Sequence, residues 1–159
     1  MRRRVAITGM AGISPIGNDW AIVRERWLDD ANFSRGPAQF FKSIPAPIRP
    51  LVTRMIRKQV RRNLHGQGLG RHTSNEMVEL AKRAVDSLAA VLGDRPYLMG
   101  AHKCGADATA FAFVLGTLCP LFDTPIRTHA EQHKNLIAYC ERMRQEFYPT
   151  NESTLRAAA

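Results

Sequence analysis

The sequence predicts an all-α fold, a helical bundle that follows a short non-helical or strand-like N-terminal arm. Apolar residues recur at helical spacing in one segment after another from residue 19 onward. Gly and Pro stand between these segments, where helices are expected to end. The strand-like run Val5-Ala6-Ile7 lies in the opening. We therefore expect an arm over residues 1–18, a helical domain over residues 19–149 and a disordered tail over residues 150–159.

The first two predicted helices are separated by a proline-rich connection. The first, in "DWAIVRERWLDDANF", has Asp19 as its N-cap. Its apolar positions are Trp20, Val23, Trp27, Leu28 and Ala31. The second starts near Pro47 to Pro50 and ends at "HGQGLG". Its apolar positions are Val52, Met55, Ile56, Val60 and Leu64.

The third predicted helix carries clear signals at both ends. Glu76 follows Thr73 by three residues, which is the spacing of a capping box, and Gly93 ends the helix. Its predicted core face comprises Met77, Leu80, Ala81, Ala84, Leu88, Val91 and Leu92.

The next helix, from about Cys104 to Leu121, is apolar on all sides, which predicts a central, buried helix. A short helix or turn follows in "DTPIRTHAEQH". The last helix lies in "NLIAYCERMRQEFYP" and is ended by Pro149. Its apolar positions are Leu136, Ile137, Cys140, Met143 and Phe147.

Length and composition limit the class of protein. At 159 residues and 45% hydrophobic content, one globular domain is expected, and no apolar run has the length of a membrane span. The three cysteines form no CxxC pair, which favours a reducing compartment over a disulfide framework. We expect a soluble, cytoplasmic protein.

The net charge of +9 is concentrated in one part of the chain. No Asp or Glu occurs between Ala31 and Asn75, and the Lys and Arg residues elsewhere balance the acidic ones. The basic patch of the second helix consists of Arg54, Arg57, Lys58, Arg61 and Arg62. It is either a solvated helix face or a surface that binds nucleic acid or another anionic surface. No aromatic stacking platform accompanies it, so nucleic acid is not the expected partner.

Several segments in order carry a family resemblance: "ERWLDDANF", "FFKSIPAPIRPLV", "VRRNLHGQGLGRHT", "LGDRPYLMG", "GADATAFAFV", "LFDTPIR" and "NLIAYCERM". Together they resemble the C-terminal helical domain of the glutathione S-transferase superfamily, in the branch with bacterial transferase-like, metaxin and failed-axon-connections proteins. In that family glutathione is held mainly by an N-terminal thioredoxin-like domain, for which residues 1–18 are too few. The resemblance therefore implies no catalytic or cofactor-binding residue here, and no glutathione unless a thioredoxin-like domain is supplied.

The resemblance also implies roles for residues of two helices. The first helix borders the substrate cleft in the family, so Trp20, Arg24 and Trp27 are the candidate hydrophobic-substrate or ligand surface; core packing of the tryptophans is the alternative. The central helix of the family begins with Ser/Thr-x-x-Asp, where this chain has Cys104-Gly105-Ala106-Asp107. Asp107 is then a structural helix cap, and Cys104 is a poor substitute for the hydroxyl.

The opening "RRVAITGMAGISPIGND" resembles the N-terminus of β-ketoacyl-[acyl carrier protein] synthases over residues 2–19. The cysteine and histidines that the resemblance requires for catalysis are not in the corresponding context. Gly9, Gly12 and Gly17 do not form a dinucleotide-binding or phosphate-binding motif. We expect a change from one resemblance to the other near Asn18-Asp19.

The histidines do not predict a metal site. His129 and His133 are four residues apart, but "HAEQH" is not H-E-x-x-H, and a helix break near Lys134-Asn135 is expected to separate them. His102 with Cys104 and Asp107 is a partial ligand set in which the helix cap is the expected role.

Three functions are compatible with the sequence. The favoured one is a transferase-like helical domain that serves as a binding or interaction module, or an inactive fragment, with a homodimer or a thioredoxin-like domain as its partner. The second is a glutathione transferase that is active only with a thioredoxin-like domain from another chain. The third is a basic helix that binds nucleic acid or anionic surfaces.

Overall fold

A computed structural model describes residues 20–148, and this part of the chain is all-α, as predicted. Two short 3₁₀ segments, Pro37–Phe41 and Leu69–Arg71, lie before and after α3. The predicted arm and tail lie outside the described residues. The helices are α1 (Trp20–Leu28), α2 (Asp30–Arg35), α3 (Arg49–Gly66), α4 (Ser74–Leu92), α5 (Gly105–Thr117), α6 (Pro125–Ala130) and α7 (Lys134–Phe147).

The first predicted helix is in fact two helices. Asp29 has an extended backbone (φ −75°, ψ 130°), and its carboxylate accepts a hydrogen bond from the Asn32 N–H at 2.8 Å. This N-cap starts α2 and turns the chain, so the helical register is not continuous across it. Ala31, one of the apolar positions of the first predicted helix, is exposed, and Asn32 and Phe33 are buried instead.

The main core is formed by α4, α5, α6 and α7, with Ala21 of α1 at its margin. The capping box of α4 is confirmed: the Thr73 N–H donates to the Glu76 carboxylate at 2.8 Å, and the Glu76 N–H donates to the Thr73 hydroxyl at 3.3 Å. Gly93 ends α4 with a positive φ of 55°, as predicted. The buried face of α4 differs from the predicted core face, because Leu80, Ala84 and Val91 are exposed. The buried residues of α4 are Met77, Ala81, Val85, Ala89 and Leu92.

The central helix α5 is not buried on all sides, and it ends at Thr117 rather than near Leu121. Phe111 and Val114 face the core, whereas Ala108 and Leu115 are exposed, Leu115 by 43%. The helix α5 carries apolar residues on both sides, but the other described residues bury only one of these sides.

A second, smaller core lies between α1, α2 and α3. Trp27, Phe33 and Phe41 pack edge-on or tilted, with ring centroids 5.9–6.3 Å apart. Of the apolar positions predicted in α3, only Leu64 is buried, and Met55 is 62% exposed. The helix α3 thus lies over the small core and turns a large part of its surface outward. Partly buried residues that pack here include Val52, Ile56 and Val60.

The last helix packs on α5 through a residue that the sequence pattern did not single out. Tyr139 is 1% exposed, and Leu136, Cys140 and Met143 are buried beside it. Phe147, another apolar position of this helix, is 51% exposed.

Candidate functional site

Two of the three residues of the predicted ligand surface on the first helix, Arg24 and Trp27, have described side chains. Trp27 is 6% exposed and belongs to the small aromatic core, in agreement with the alternative of core packing. The Arg24 guanidinium is half-buried and lies 2.9 Å from the Met77 sulfur. The side chain of Trp20 lies outside the described part of the structure. The assignment of Trp20, Arg24 and Trp27 to one ligand surface therefore stays a prediction.

The cleft between α1 and the α5–α6 corner is nearly filled. Its cavity measures about 10 Å³, about the space that one water molecule requires. The Arg26 guanidinium occupies this region: it donates to the Gly116 carbonyl and lies 4.3 Å from the centre of the Phe122 ring. Burial lowers the pKa of Arg26 from its ordinary value. A small-molecule pocket commonly needs several hundred Å³, so this cleft does not hold a substrate as it stands.

The basic patch divides into one structural arginine and four exposed charges. Arg57 donates to the carbonyls of Trp27 and Leu28 at 3.0 Å each, and to Asp30 at 2.7 Å. It therefore caps the C-terminal end of α1, where carbonyls lack helical partners. The four other members of the patch are exposed. These are Arg54, Lys58, Arg61 and Arg62.

Beside these charges, α3 carries an exposed apolar stripe. Ile48 precedes the helix and is 49% exposed, Leu51 is 71% exposed and Met55 is 62% exposed. Their spacing of three and four residues places them on one side of the helix. We call the stripe and the four exposed basic residues the outer face of α3. A shallow depression at the end of α3 is lined only by exposed residues and is open to solvent; they are Arg62, Asn63, His65, Gly66 and Gln67.

The cap of α5 is a buried hydrogen-bonded network around Asp107, which is 1% exposed. Its carboxylate accepts from the Leu98 N–H at 2.9 Å, the Cys104 N–H at 2.8 Å and the Tyr139 hydroxyl at 3.1 Å. Burial raises the pKa of Asp107, but these hydrogen bonds outweigh it and hold the pKa below its ordinary value. Burial, with the Asp107 hydrogen bond, raises the pKa of Tyr139. The carboxylate is saturated, which fits a structural role.

Three side chains, one each from α4, α6 and the start of α7, meet at the surface of the domain. The Asp86 carboxylate oxygen Oδ1 lies 2.6 Å from His129 Nε2 and 2.9 Å from His133 Nε2. The His129 hydrogen bond is the main reason that the pKa of Asp86 is below its ordinary value. A helix break does lie between the two histidines, because α6 ends at Ala130 and α7 begins at Lys134, but it does not keep the rings apart: the imidazole centroids are 5.3 Å apart. Sequence spacing suggested the pair, but no sequence signal indicated Asp86.

Comparisons with known proteins show similarity to one family model and to several curated proteins. A family model described as the C-terminal domain of glutathione S-transferase matches residues 81–143. The isoprene-epoxide–glutathione S-transferase of Rhodococcus sp. (strain AD45) is 25% identical over 131 residues, covering 79% of this chain and 53% of the relative. Human metaxin-2 is 22% identical over 125 residues, covering 77% of this chain and 48% of the relative. The chain thus spans about half the length of the curated relatives it matches.

Two further comparisons add limits. No solved structure matches the chain at a significant level. The resemblance of residues 2–19 to β-ketoacyl synthases receives no support from the matches and falls outside the described residues, so it stays a prediction. Among residues 20–148, no helix combines the length and the apolar character that crossing a membrane requires.

Proposed function

We propose that this chain belongs to the glutathione S-transferase superfamily through its C-terminal-type helical domain, on the metaxin-like branch, and that it acts as a binding or interaction module. The observation that carries the proposal is the outer face of α3. Leu51 and Met55 are 71% and 62% exposed and lie one helical turn apart, so they form an apolar patch beside four cations. Such a face is suited to bind a partner through apolar contact and charge.

The charges favour an acidic partner over a second copy of the chain. In a symmetric dimer through α3, Arg54, Lys58, Arg61 and Arg62 would face the same residues of the other copy, and like charges across an interface repel. We therefore propose a partner protein whose surface is apolar at its centre and acidic at its rim. A thioredoxin-like domain with such a surface is the candidate that the family suggests, and a homodimer is the competing arrangement.

We further propose that the helical domain does not bind glutathione by itself. The cleft beside α1 has about 10 Å³ of space, and Arg26, which donates to the Gly116 carbonyl, lines it. In the family the cofactor is held mainly by the thioredoxin-like domain, and residues 20–148 are all-helical. The second candidate function, a transferase completed by a thioredoxin-like domain, is favoured by the name of the Rhodococcus relative.

Three free cysteines fit the reducing cytoplasm, which we propose as the location.

Site-specific photo-cross-linking tests the docking face. A photo-reactive residue replaces Leu51 in one variant of the full chain and Leu80 of α4, which is 40% exposed, in the matched control. We expect a discrete protein adduct from position 51 alone, and we expect the purified partner to bind Leu51→Ser/Met55→Ser more weakly than the unmodified chain. Equal adducts from both positions, or an adduct that nuclease removes, would overturn the proposal.

A glutathione assay tests the proposal that the helical domain does not bind glutathione by itself. The full chain is titrated with glutathione in a calorimeter and then incubated with glutathione and a generic electrophile. We expect no saturable binding and no conjugation above the uncatalysed rate. Saturable binding with conjugation would establish the transferase alternative for this chain alone.

A further inference from the structure

A surface site formed by Asp86, His129 and His133 has no role in the docking face or in the helix caps. Asp86 stands on α4, His129 in the last turn of α6, and His133 at the start of α7. One carboxylate oxygen and the two Nε2 atoms lie within 4.8 Å of one another. The side chains of the two histidines are 23% and 25% exposed, and that of Asp86 is 50% exposed. The three ligand atoms therefore converge where solvent can reach them.

The elements that carry these side chains are held firmly. Ala130 and Ile126 of α6 are 2% and 1% exposed, and they pack in the main core with Val85 of α4. The Asn135 amide donates to the carbonyls of Ala89 at 2.9 Å and Gly93 at 3.1 Å, which joins the start of α7 to the end of α4. A site on such fixed elements loses little side-chain and backbone freedom when a ligand binds.

Two imidazole nitrogens and one carboxylate oxygen are the ligand types of borderline transition-metal ions, Zn²⁺ in particular. We propose that Asp86, His129 and His133 bind a divalent transition-metal ion such as Zn²⁺, with a water molecule completing the coordination. Three protein ligands leave a fourth position open in a tetrahedral site, and the half-exposed Asp86 side chain lets solvent reach the cluster.

The observed spacing needs only a small adjustment. Ligand atoms about 2.0–2.1 Å from a tetrahedral Zn²⁺ are about 3.3 Å apart. The two nitrogens now lie 2.6 and 2.9 Å from the same carboxylate oxygen, so each pair must separate by less than about 1 Å to admit the ion. Rotation of the half-exposed Asp86 side chain provides this movement without a change in the helices.

The other histidine group considered from the sequence is not available. Asp107 already accepts two backbone N–H groups and the Tyr139 hydroxyl, and it is buried, so His102 and Cys104 lack their carboxylate. Within residues 20–148, the Asp86 cluster is the group of three ligating side chains that meets the spacing for a metal ion. The chain thus offers His102→Gln as a matched control on the same protein.

The experiment titrates the full, metal-free chain with Zn²⁺ and, separately, with Co²⁺. Binding is measured by calorimetry, and the coordination by the visible absorption of Co²⁺. Because loss of an outer-shell partner alone costs about 10–100-fold in metal affinity, we expect His129→Gln, His133→Gln and Asp86→Asn each to weaken Zn²⁺ binding at least about tenfold. His102→Gln should bind as the unmodified chain does.

The variants also lose a contact between α4 and the α6–α7 corner, so their folding is checked by circular dichroism at the titration temperature. Since all three side chains are at the surface, we expect folded variants. The proposal is overturned if the unmodified chain shows no saturable Zn²⁺ binding. It is also overturned if the triad variants bind as well as the unmodified chain, or if His102→Gln alone removes the Co²⁺ spectrum. None of these three results bears on the docking face of α3.

Discussion

The hydroxyl of Tyr139 on α7 donates to the carboxylate of Asp107 on α5 across 3.1 Å, and it also lies 2.9 Å from the Asp107 backbone carbonyl. Both residues are 1% exposed. One buried contact therefore joins the last helix to the first turn of the central helix, at the charge that caps that turn. The strength of a hydrogen bond to a buried carboxylate makes this contact measurable.

Tyr139→Phe should lower the free energy of unfolding by about 1.5–3 kcal/mol, the cost of losing a hydrogen bond to a charged group. Urea unfolding at neutral pH measures it. Tyr148→Phe is the matched control, because Tyr148 is 52% exposed and keeps its stacked contact with Phe111 when the hydroxyl is removed. An equal effect of the two substitutions would contradict a specific role for the Tyr139 hydroxyl.

Asp107 should give stability that depends on pH. Its hydrogen bonds hold the pKa of the folded carboxyl below the ordinary 3.8, so its contribution is fully present above that value and is lost as pH falls through the folded pKa. Unfolding of the native chain and of Asp107→Asn is compared from pH 7 down into this acidic range. We expect the difference in stability between them to shrink there; a constant difference would show that the carboxyl does not titrate differently in the folded state.

Cys104→Thr should raise the melting temperature. Cys104 stands at the N-cap of α5 with an extended backbone (φ −137°, ψ 174°), and a thiol is a weak acceptor. A hydroxyl at such a position stabilises by about 0.5–2 kcal/mol relative to a residue that cannot cap. Cys104→Ala is the control and should not raise the melting temperature. A gain in both variants would mean that removal of the thiol, and not the hydroxyl, is responsible.

Arg57→Ala should destabilise the chain, whereas Arg61→Ala should not. Arg57 satisfies two carbonyls at the end of α1, and its guanidinium lies 4.7 Å from the Phe33 ring centre. Loss of these contacts costs about 1–3 kcal/mol. Arg61 is exposed on the same helix and serves as control. Thermal unfolding checks both variants. Similar melting temperatures for Arg57→Ala and Arg61→Ala would show that Arg57 does not stabilise the fold through these contacts.

Gly36→Ala should be destabilising for a steric reason. A Cβ atom at position 36 would lie 2.5 Å from the Phe122 ring, and φ is −120°, outside the left-handed range. Displacement of that buried ring costs about 1–3 kcal/mol. Gly66→Ala, at the end of α3, meets no atom within 4 Å and should be neutral or slightly stabilising. Chemical denaturation of the two variants distinguishes them, and equal stability would contradict the close packing of Phe122.

The sequence predicted those helices whose ends are fixed by local chemistry. Thr73 with Glu76 starts α4, and Gly93 ends it, because caps depend on residues only a few positions apart. The boundary at Asp29 was missed for a related reason. Asp29 could be a polar residue within one long helix or the N-cap of a new helix, and the spacing of the apolar residues does not distinguish these two roles.

The candidate sites were harder to predict because they depend on contacts between distant segments. Asp86 meets His129 across 43 positions, and Tyr139 meets Asp107 across 32 positions. Helical periodicity places a residue on a face of its own helix but does not say what faces it. For the same reason, Arg57 was grouped with its exposed neighbours, although its carbonyl partners lie on α1.

The two separate cores have a consequence for how the molecule opens. The core of α4 to α7 is large, whereas α3 is held against α1 and α2 by a cluster centred on Val23, Trp27, Phe33 and Phe41. A unit with less buried apolar surface has a lower free energy of local opening. Backbone amides of α3 should therefore exchange with deuterium before those of α4 and α5. The helix with the exposed face would then be the one that detaches while the rest of the domain remains folded.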